Sequence, residues 1–385
     1  MKSNLAVILL LSIFLFSCSS SDSNPEPEPD PILGCTDPNS NNYSSEATED
    51  DGSCAYGTAI NLDVPTLFGN LLLPPIIPAN NPQTIEGIAL GRKLFYDPIL
   101  SGDGTQACAD CHFQKDAFTD DSKQFSVGID GSVGTRNSMP IFNVAWNFDE
   151  KFFWDGRAKS VEDQAFGPVV NPVEMKNTWP NAVASLQGTN SYPDLFLEAF
   201  GTSTIDSVLV TKAIAQFERT LISGNSRFDR HLLGEDILTE SEINGFAVFM
   251  DETKGDCFHC HGSNSNPLWT DNAFHNNGLD ASFTDNGLGD ITGDPLDIGK
   301  FKSPSLRNLA YSAPYMHDGR FNTLDEVIDH YSEGLVFSDT IDPLMKYISD
   351  GGVQLSEEDK ADLKAFLLSL SEPGFTTNPD FQNPN

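Results

Sequence analysis

Two five-residue runs, Cys108-Ala-Asp-Cys111-His112 and Cys257-Phe-His-Cys260-His261, carry the strongest chemical signal in this chain. In Cys-x-x-Cys-His the two thiols add across the vinyl groups of a porphyrin and the next histidine ligates iron, the attachment signature of c-type haem. Cys-x-x-Cys alone also serves zinc sites and thioredoxin-like redox pairs. A redox pair needs no histidine directly after it, and four thiolates on one zinc would leave both histidines unexplained. The spacing therefore predicts two covalently bound haem c groups, one per domain, with His112 and His261 as axial ligands.

The sixth iron position separates an electron carrier from a catalyst. Between Phe113 and Arg230 the chain has no histidine, and Met139 and Met175 are the only methionines there. The His112 haem is thus expected to keep an open, peroxide-accessible iron. In the second half, Ala313-Pro-Tyr-Met316-His317-Asp-Gly-Arg320 and the segment after it stand out. Thr323 with Glu326 spells a capping box, and Leu324, Val327, Ile328 and Tyr331 recur at i, i+3, i+4 and i+7. That stripe turns Tyr331 inward and leaves His330 off it. On periodicity alone an inward tyrosine is more often a packed core residue than an iron ligand.

The elements that must position these groups read as helices. Val210, Ile214, Phe217 and Leu221 keep helical spacing, Thr239-x-x-Glu242 is a second capping box before Ile243, Phe246 and Phe249, and Ser356 opens a terminal helix with Leu363, Phe366, Leu367 and Leu370. Long alternating strand patterns are lacking. The body is predicted to be all-α, with two cytochrome c-like haem domains and long loops: an N-terminal haem domain over 60–232 and a C-terminal haem domain over 233–372, divided near Leu233. Residues 373–385 read as a polar, mobile tail.

Ahead of the body, Lys2 and the apolar run Leu5 to Phe16 form a signal-peptide pattern too short to span a membrane comfortably. Leu15-Phe16-Ser17-Cys18 looks like a lipobox, predicting cleavage after residue 17, lipidation of Cys18 and an exported, lipid-anchored protein facing periplasm or cell surface; an ordinary signal peptide with an incidental cysteine is the alternative. Residues 18–33 read as an extended Ser/Pro/Glu/Asp tether. Cys35 and Cys54 are expected to close a small acidic disulfide loop over 34–57 in an oxidising compartment. Its Asp37, Asn39, Asp50 and Asp51 offer oxygens to calcium, or are simply solvated turns. The net charge of −34 argues against nucleic acid. It suits a small basic cytochrome or cupredoxin as electron donor, steered by a field that salt screens over about 8 Å, or only keeps the protein soluble.

Over roughly residues 80 to 372 the chain resembles the bacterial di-haem cytochrome c peroxidases and MauG. Both haem motifs carry the resemblance, with Phe153-Trp-Asp-Gly-Arg-Ala158, Asp163-Gln-Ala-Phe-Gly-Pro168, Asn171-Pro-Val-Glu-Met175, Phe301-Lys-Ser-Pro-Ser-Leu-Arg-Asn308 and Pro314-Tyr-Met-His-Asp-Gly319, all in the family's order. The resemblance implies that the His112 haem is the peroxidatic centre and the His261 haem stores or relays electrons. It places Glu174 as the distal acid/base, Gln164 and Pro168 as pocket lining, and Trp154 between the haems, where a packed core aromatic is the plain alternative. It also implies one calcium ion between the domains, on Asn137 and the carbonyls of Ser312 and Pro314, since that ion takes hard oxygen ligands. Homodimers are usual in the family, though no sequence feature here requires one.

Two departures from the standard peroxidase stand out. The loop Gly128 to Arg136 lacks the family's usual histidine, so no reductive activation is expected. The alignment also puts Tyr331 where the peroxidases carry an axial methionine, with Met316 and His317 as competitors for the same iron. Methionine raises a haem potential, whereas an anionic tyrosinate favours more oxidised iron. The expected function is reduction of hydrogen peroxide with electrons from a small redox protein, through a MauG-like state in which both haems share the oxidising equivalents. A MauG-like oxidase acting on a protein or small molecule is the alternative, and a non-catalytic electron carrier the third class.

Overall fold

The computed structural model describes residues 30–38, 40–54 and 56–384. The signal peptide, Cys18, most of the tether and Asn39 lie outside them. The described residues form twelve α-helices: α1 (Thr66–Leu71), α2 (Ile85–Tyr96), α3 (Val161–Val170), α4 (Trp179–Gln187), α5 (Tyr192–Phe200), α6 (Ser207–Thr220), α7 (Arg227–Leu232), α8 (Glu240–Met250), α9 (Phe258–His261), α10 (Gly289–Thr292), α11 (Leu324–Glu333) and α12 (Glu357–Ser369). Sheet is limited to two-residue strands, β1 (Leu33–Gly34) parallel to β2 (Glu49–Asp50), and β3 (Phe274–His275) antiparallel to β4 (Phe301–Lys302).

The same local plan occurs twice. A capped helix leads to a Cys-x-x-Cys-His segment, and a later helix returns to cross the first. In the first half Thr84 caps α2 by accepting from the Gly87 N–H at 3.0 Å, and α2 crosses α6. The crossing needs Gly91, because a Cβ there would run into the Ala213 carbonyl. In the second half the Thr239 capping box starts α8, which crosses α12 at Gly245, where a Cβ would meet the Asp362 carbonyl. Each crossing is backed by its own buried cluster: Leu90, Leu94, Val210 and Ile214 in one, Phe249, Leu363, Phe366 and Leu370 in the other. The all-α expectation with two cytochrome c-like halves is met.

Two boundaries move. Phe228 and Leu232 of α7 pack with the second cluster, and Asp229 is paired with Arg307 through two 2.7 Å hydrogen bonds. The chain therefore crosses between the halves before α7, not at Leu233. The residues expected to form a free tail are folded back onto the first half. Phe375 and Phe381 are buried against Phe118, Phe142 and Phe95. Arg92 donates to the Pro379 and Gln382 carbonyls, both at 2.7 Å, and the Glu372 carboxylate accepts from Ser223 Oγ and the Gly224 and Asn225 N–H groups at 3.0 Å. Two large aromatics in a polar segment outweigh its composition.

Cys35 and Cys54 are joined by a disulfide. The loop they close rests on the first half: Tyr56 donates to Asp37 at 2.6 Å, and Thr58 Oγ1 donates to Glu86 of α2 at 2.9 Å. Asp50 and Asp51 accept from the backbone N–H groups of Gly52 and Ser53, the bonding of ordinary acidic turns.

Candidate haem centres and the residues between them

Cys108 to Asp110 form one turn of 3-10 helix, and the His112 N–H donates to the Cys108 carbonyl at 3.1 Å. The histidine Nδ1 lies 2.9 Å from the Phe118 carbonyl, brought there by consecutive left-handed residues Ala117 and Phe118. Fixing Nδ1 in this way leaves Nε2 for a metal, as a backbone carbonyl hydrogen-bonded to the other ring nitrogen does for ligating histidines. Cys111 and His112 line a cavity of about 880 Å³, and Glu174, Gln164, Pro168 and Trp154 line the same cavity. Gln164 Oε1 is buried there without a hydrogen-bond partner. The Cys111 thiol, an oriented imidazole and an orphaned acceptor around one cavity, with the free Cys108 three residues before Cys111, fit a covalently attached haem with an acceptor left for its ligand.

Glu174 reaches the wall on the turn after α3. Asn171 Nδ2 donates to its Oε1 at 2.5 Å, and Ile129 N–H donates to its backbone carbonyl at 3.1 Å. Burial raises its carboxyl above the usual range, with Arg157 and Asn171 pulling the other way. Such a carboxyl sits closer to neutrality, which favours general acid/base work. Of the two methionines in this half, Met175 is in the hydrophobic core and Met139 lines the cavity.

The second centre repeats the first. Ser303 Oγ donates to the Cys260 carbonyl at 3.1 Å and lies 3.5 Å from His261 Nδ1, as Ser138 Oγ donates to the Cys111 carbonyl at 2.9 Å and lies 3.4 Å from His112 Nδ1. Burial lowers His261 to about 4, which keeps the ring neutral and able to ligate. Cys257, Cys260 and His261 line a smaller cavity together with Tyr331, Met316 and His317. Tyr331 does point inward from α11, and burial pushes its hydroxyl up to about 12, against a lowering hydrogen bond from Asn277. His317 is stacked on Phe301, ring centroids 3.6 Å apart and planes within 10°. His330, expected off the buried stripe, is itself buried: its Nε2 lies 3.0 Å from the Asn277 carbonyl, because the 274–279 segment covers that flank of α11.

Trp154 lines both cavities. Its indole N–H donates to the Asn137 carbonyl at 2.8 Å, next in sequence to Ser138, and its own carbonyl accepts from Lys302 N–H at 2.9 Å, next to Ser303. One residue thereby touches the strands of chain that fix each histidine. The calcium candidates Asn137, Ser312 and Pro314 line the smaller cavity together. Asn137 Nδ2 donates to the Lys123 and Gln124 carbonyls at 3.2 Å, which turns Oδ1 away as a free oxygen.

Three residues on these walls escaped the sequence reading. Glu218 of α6 is 5 % exposed, and burial pushes its carboxyl up to about 8. Lys302 is buried without a carboxylate partner, held by the Asn272 carbonyl at 2.9 Å, and burial lowers it to about 8. Asn277 lines both cavities. Only Lys302 had a signal, lying inside the Phe301–Asn308 segment already singled out.

The sequence model of the di-haem cytochrome c peroxidase family matches residues 85–237. Over 302 residues the chain is 36% identical to the methylamine utilization protein MauG of Methylophilus methylotrophus, covering 77% of this chain and 86% of that one. It is 34% identical over 343 residues to the cytochrome-c peroxidase IdrP1 of Pseudomonas sp. (strain SCT), covering 80% and 87%. The crystal structure of a MauG-like protein associated with microbial copper homeostasis superposes with a TM-score of 0.76 at 36% identity, covering 85% of this chain and 99% of that one.

Proposed function

Since the chain belongs to the di-haem cytochrome c peroxidase family that includes MauG, a family of peroxidase-type oxidoreductases with two haems, we propose that it reduces hydrogen peroxide to water at the His112 centre. The balance is H2O2 + 2 H⁺ + 2 e⁻ → 2 H2O, with the electrons entering through the His261 centre from a small redox protein. The observation that carries this reading is the half-buried Glu174 carboxyl on the same cavity wall as His112.

Bound at His112, the haem would supply the iron that holds peroxide and passes electrons to it. The chain does the rest. Glu174, held by Asn171, takes the proton from one peroxide oxygen and returns it to the other, so that water can leave. Gln164 Oε1, unpartnered in the protein, accepts a hydrogen bond from the substrate or the departing water. Pro168, inside α3, lines that wall with a rigid apolar ring. Trp154 lies on the walls of both centres, and Tyr331 with His261 would hold the second haem, which together with the first would supply storage for the oxidising equivalents without prior reduction. Asn137 and the Ser312 and Pro314 carbonyls would hold a calcium ion, supplying it with hard oxygen ligands. Cys18 anchors the exported protein to lipid; no helix of the described residues is long and apolar enough to cross a membrane. The net charge of −34 steers a basic donor.

Tyr331 on the second cavity wall favours one further reading, a MauG-like oxidase that turns the same equivalents on a protein or small molecule. Steady-state assays with peroxide and a reduced basic cytochrome c separate the two. Saturable donor oxidation at two electrons per peroxide is expected; peroxide left unconsumed with every reduced donor tried would overturn the peroxidase reading.

A further inference from the structure

Two of the side chains that compete for the second haem's distal position meet at a single amide. Asn277 Nδ2 donates to the Tyr331 hydroxyl oxygen at 3.2 Å and lies 3.5 Å from Met316 Sδ. Both side chains line the cavity that His261 lines. We propose that Asn277 is the residue that selects the distal ligand of the second haem, favouring the Tyr331 oxygen and holding the Met316 sulfur in reserve. This rests on the reading of Tyr331 as that ligand.

The selectivity follows from the chemistry of the acceptors. An amide N–H stabilises an anionic phenolate oxygen as a charge-assisted hydrogen bond, but a thioether sulfur is a weak acceptor. The donor therefore favours oxygen over sulfur at the shared position. The value of such a bond corresponds to roughly 10- to 100-fold in the ratio of the two ligands.

Asn277 is built to hold this aim. It follows β3, which is paired with β4, and its carbonyl faces His330 Nε2 at 3.0 Å. Its neighbour Asn276 is buried and donates to Ser338 and Thr340 at 2.9 and 3.0 Å. On the other side the Gly278 carbonyl accepts from Val336 N–H at 2.8 Å. The two competitors come from separate elements, Tyr331 from α11 and Met316 from a loop residue with φ of 75°, a left-handed conformation that non-glycine side chains rarely adopt. Neither element is bonded to the other through these side chains except by way of the amide. Asn277 is accordingly a positioning residue, and its removal changes which atom reaches the iron.

The test is the near-infrared and EPR spectrum of the oxidised holoprotein in four forms: wild type, Asn277→Leu, Asn277→Leu with Met316→Leu, and Tyr331→Phe. Asn277→Leu is expected to gain a methionine-to-iron charge-transfer band, and the double variant to lack it. If Asn277→Leu takes up haem poorly, Asn277→Ala carries the same expectation. A wild-type spectrum in the Asn277 variants, with a changed spectrum in Tyr331→Phe, overturns the role of Asn277 alone. An unchanged spectrum in Tyr331→Phe overturns the tyrosine ligand itself.

Discussion

Replacing Glu174 by glutamine isolates proton transfer from position. The amide keeps a carbonyl oxygen to accept from Asn171, the 2.5 Å bond that holds the side chain, and nearly the same volume. What is lost is the ability to take a proton and give it back. Positioned acid/base groups contribute about 10²- to 10⁴-fold, about 2.7–5.4 kcal/mol of activation free energy at 1.36 kcal/mol per decade. Burial holds the carboxyl above 4.5, nearer the working pH, so the loss should be at least about 10²-fold. Stopped-flow mixing of the oxidised protein with excess peroxide measures it, with haem content checked in both proteins. The wild-type rate should fall as acid protonates Glu174, with a midpoint above 4.5, and the glutamine variant should lose that limb. A variant with both haems bound that reacts within about threefold of wild type, or keeps the acid limb, refutes Glu174 as the proton carrier.

Trp154→Phe removes the donor to the Asn137 carbonyl while keeping the backbone bond to Lys302, so electron exchange between the haems, followed after rapid reduction of one, should slow with little loss of stability; wild-type exchange would leave Trp154 as packing alone. Asp229→Asn strips the partner from Arg307, a pair 1 % and 0 % exposed, and should cost about 3–5 kcal/mol in denaturant unfolding of the holoprotein; a cost under about 1 kcal/mol would contradict it. Glu218 has a folded-state carboxyl raised from 4.5 to about 8, so its contribution to stability is present below 4.5 and lost as pH rises through about 8. Glu218→Gln should flatten the fall in Tm across that window, and parallel curves for the two proteins would show that Glu218 is not kept protonated.

The parts of the fold that short-range chemistry writes were legible. The capping boxes at Thr239 and Thr323 and the cap at Ser356 start helices where the sequence puts them, because a side-chain oxygen satisfying a free N–H is a local event. The two haem motifs and the inward stripe of α11 are equally local. What failed was decided by distant partners. The last residues look soluble, yet Phe375 and Phe381 find a cluster built by α2 and α6. His330 looked exposed until the segment after β3 covered it. Glu218 sits on a helix buried on most of its circumference, where the usual inference from polar residue to solvent fails. Asn277 has no signature at all, since an asparagine between two future ligands is visible only once both are in place.

Central to the proposed mechanism is the participation of both haems in the oxidised state without prior reduction. The direct test is to add one equivalent of peroxide to the fully oxidised protein, with no reductant, while recording optical and EPR spectra. One high-spin and one low-spin ferric signal, no methionine-to-iron band, and prompt loss of both signals on mixing are expected. Two low-spin haems with a methionine band, inert to peroxide until one haem is reduced, would contradict that mechanism.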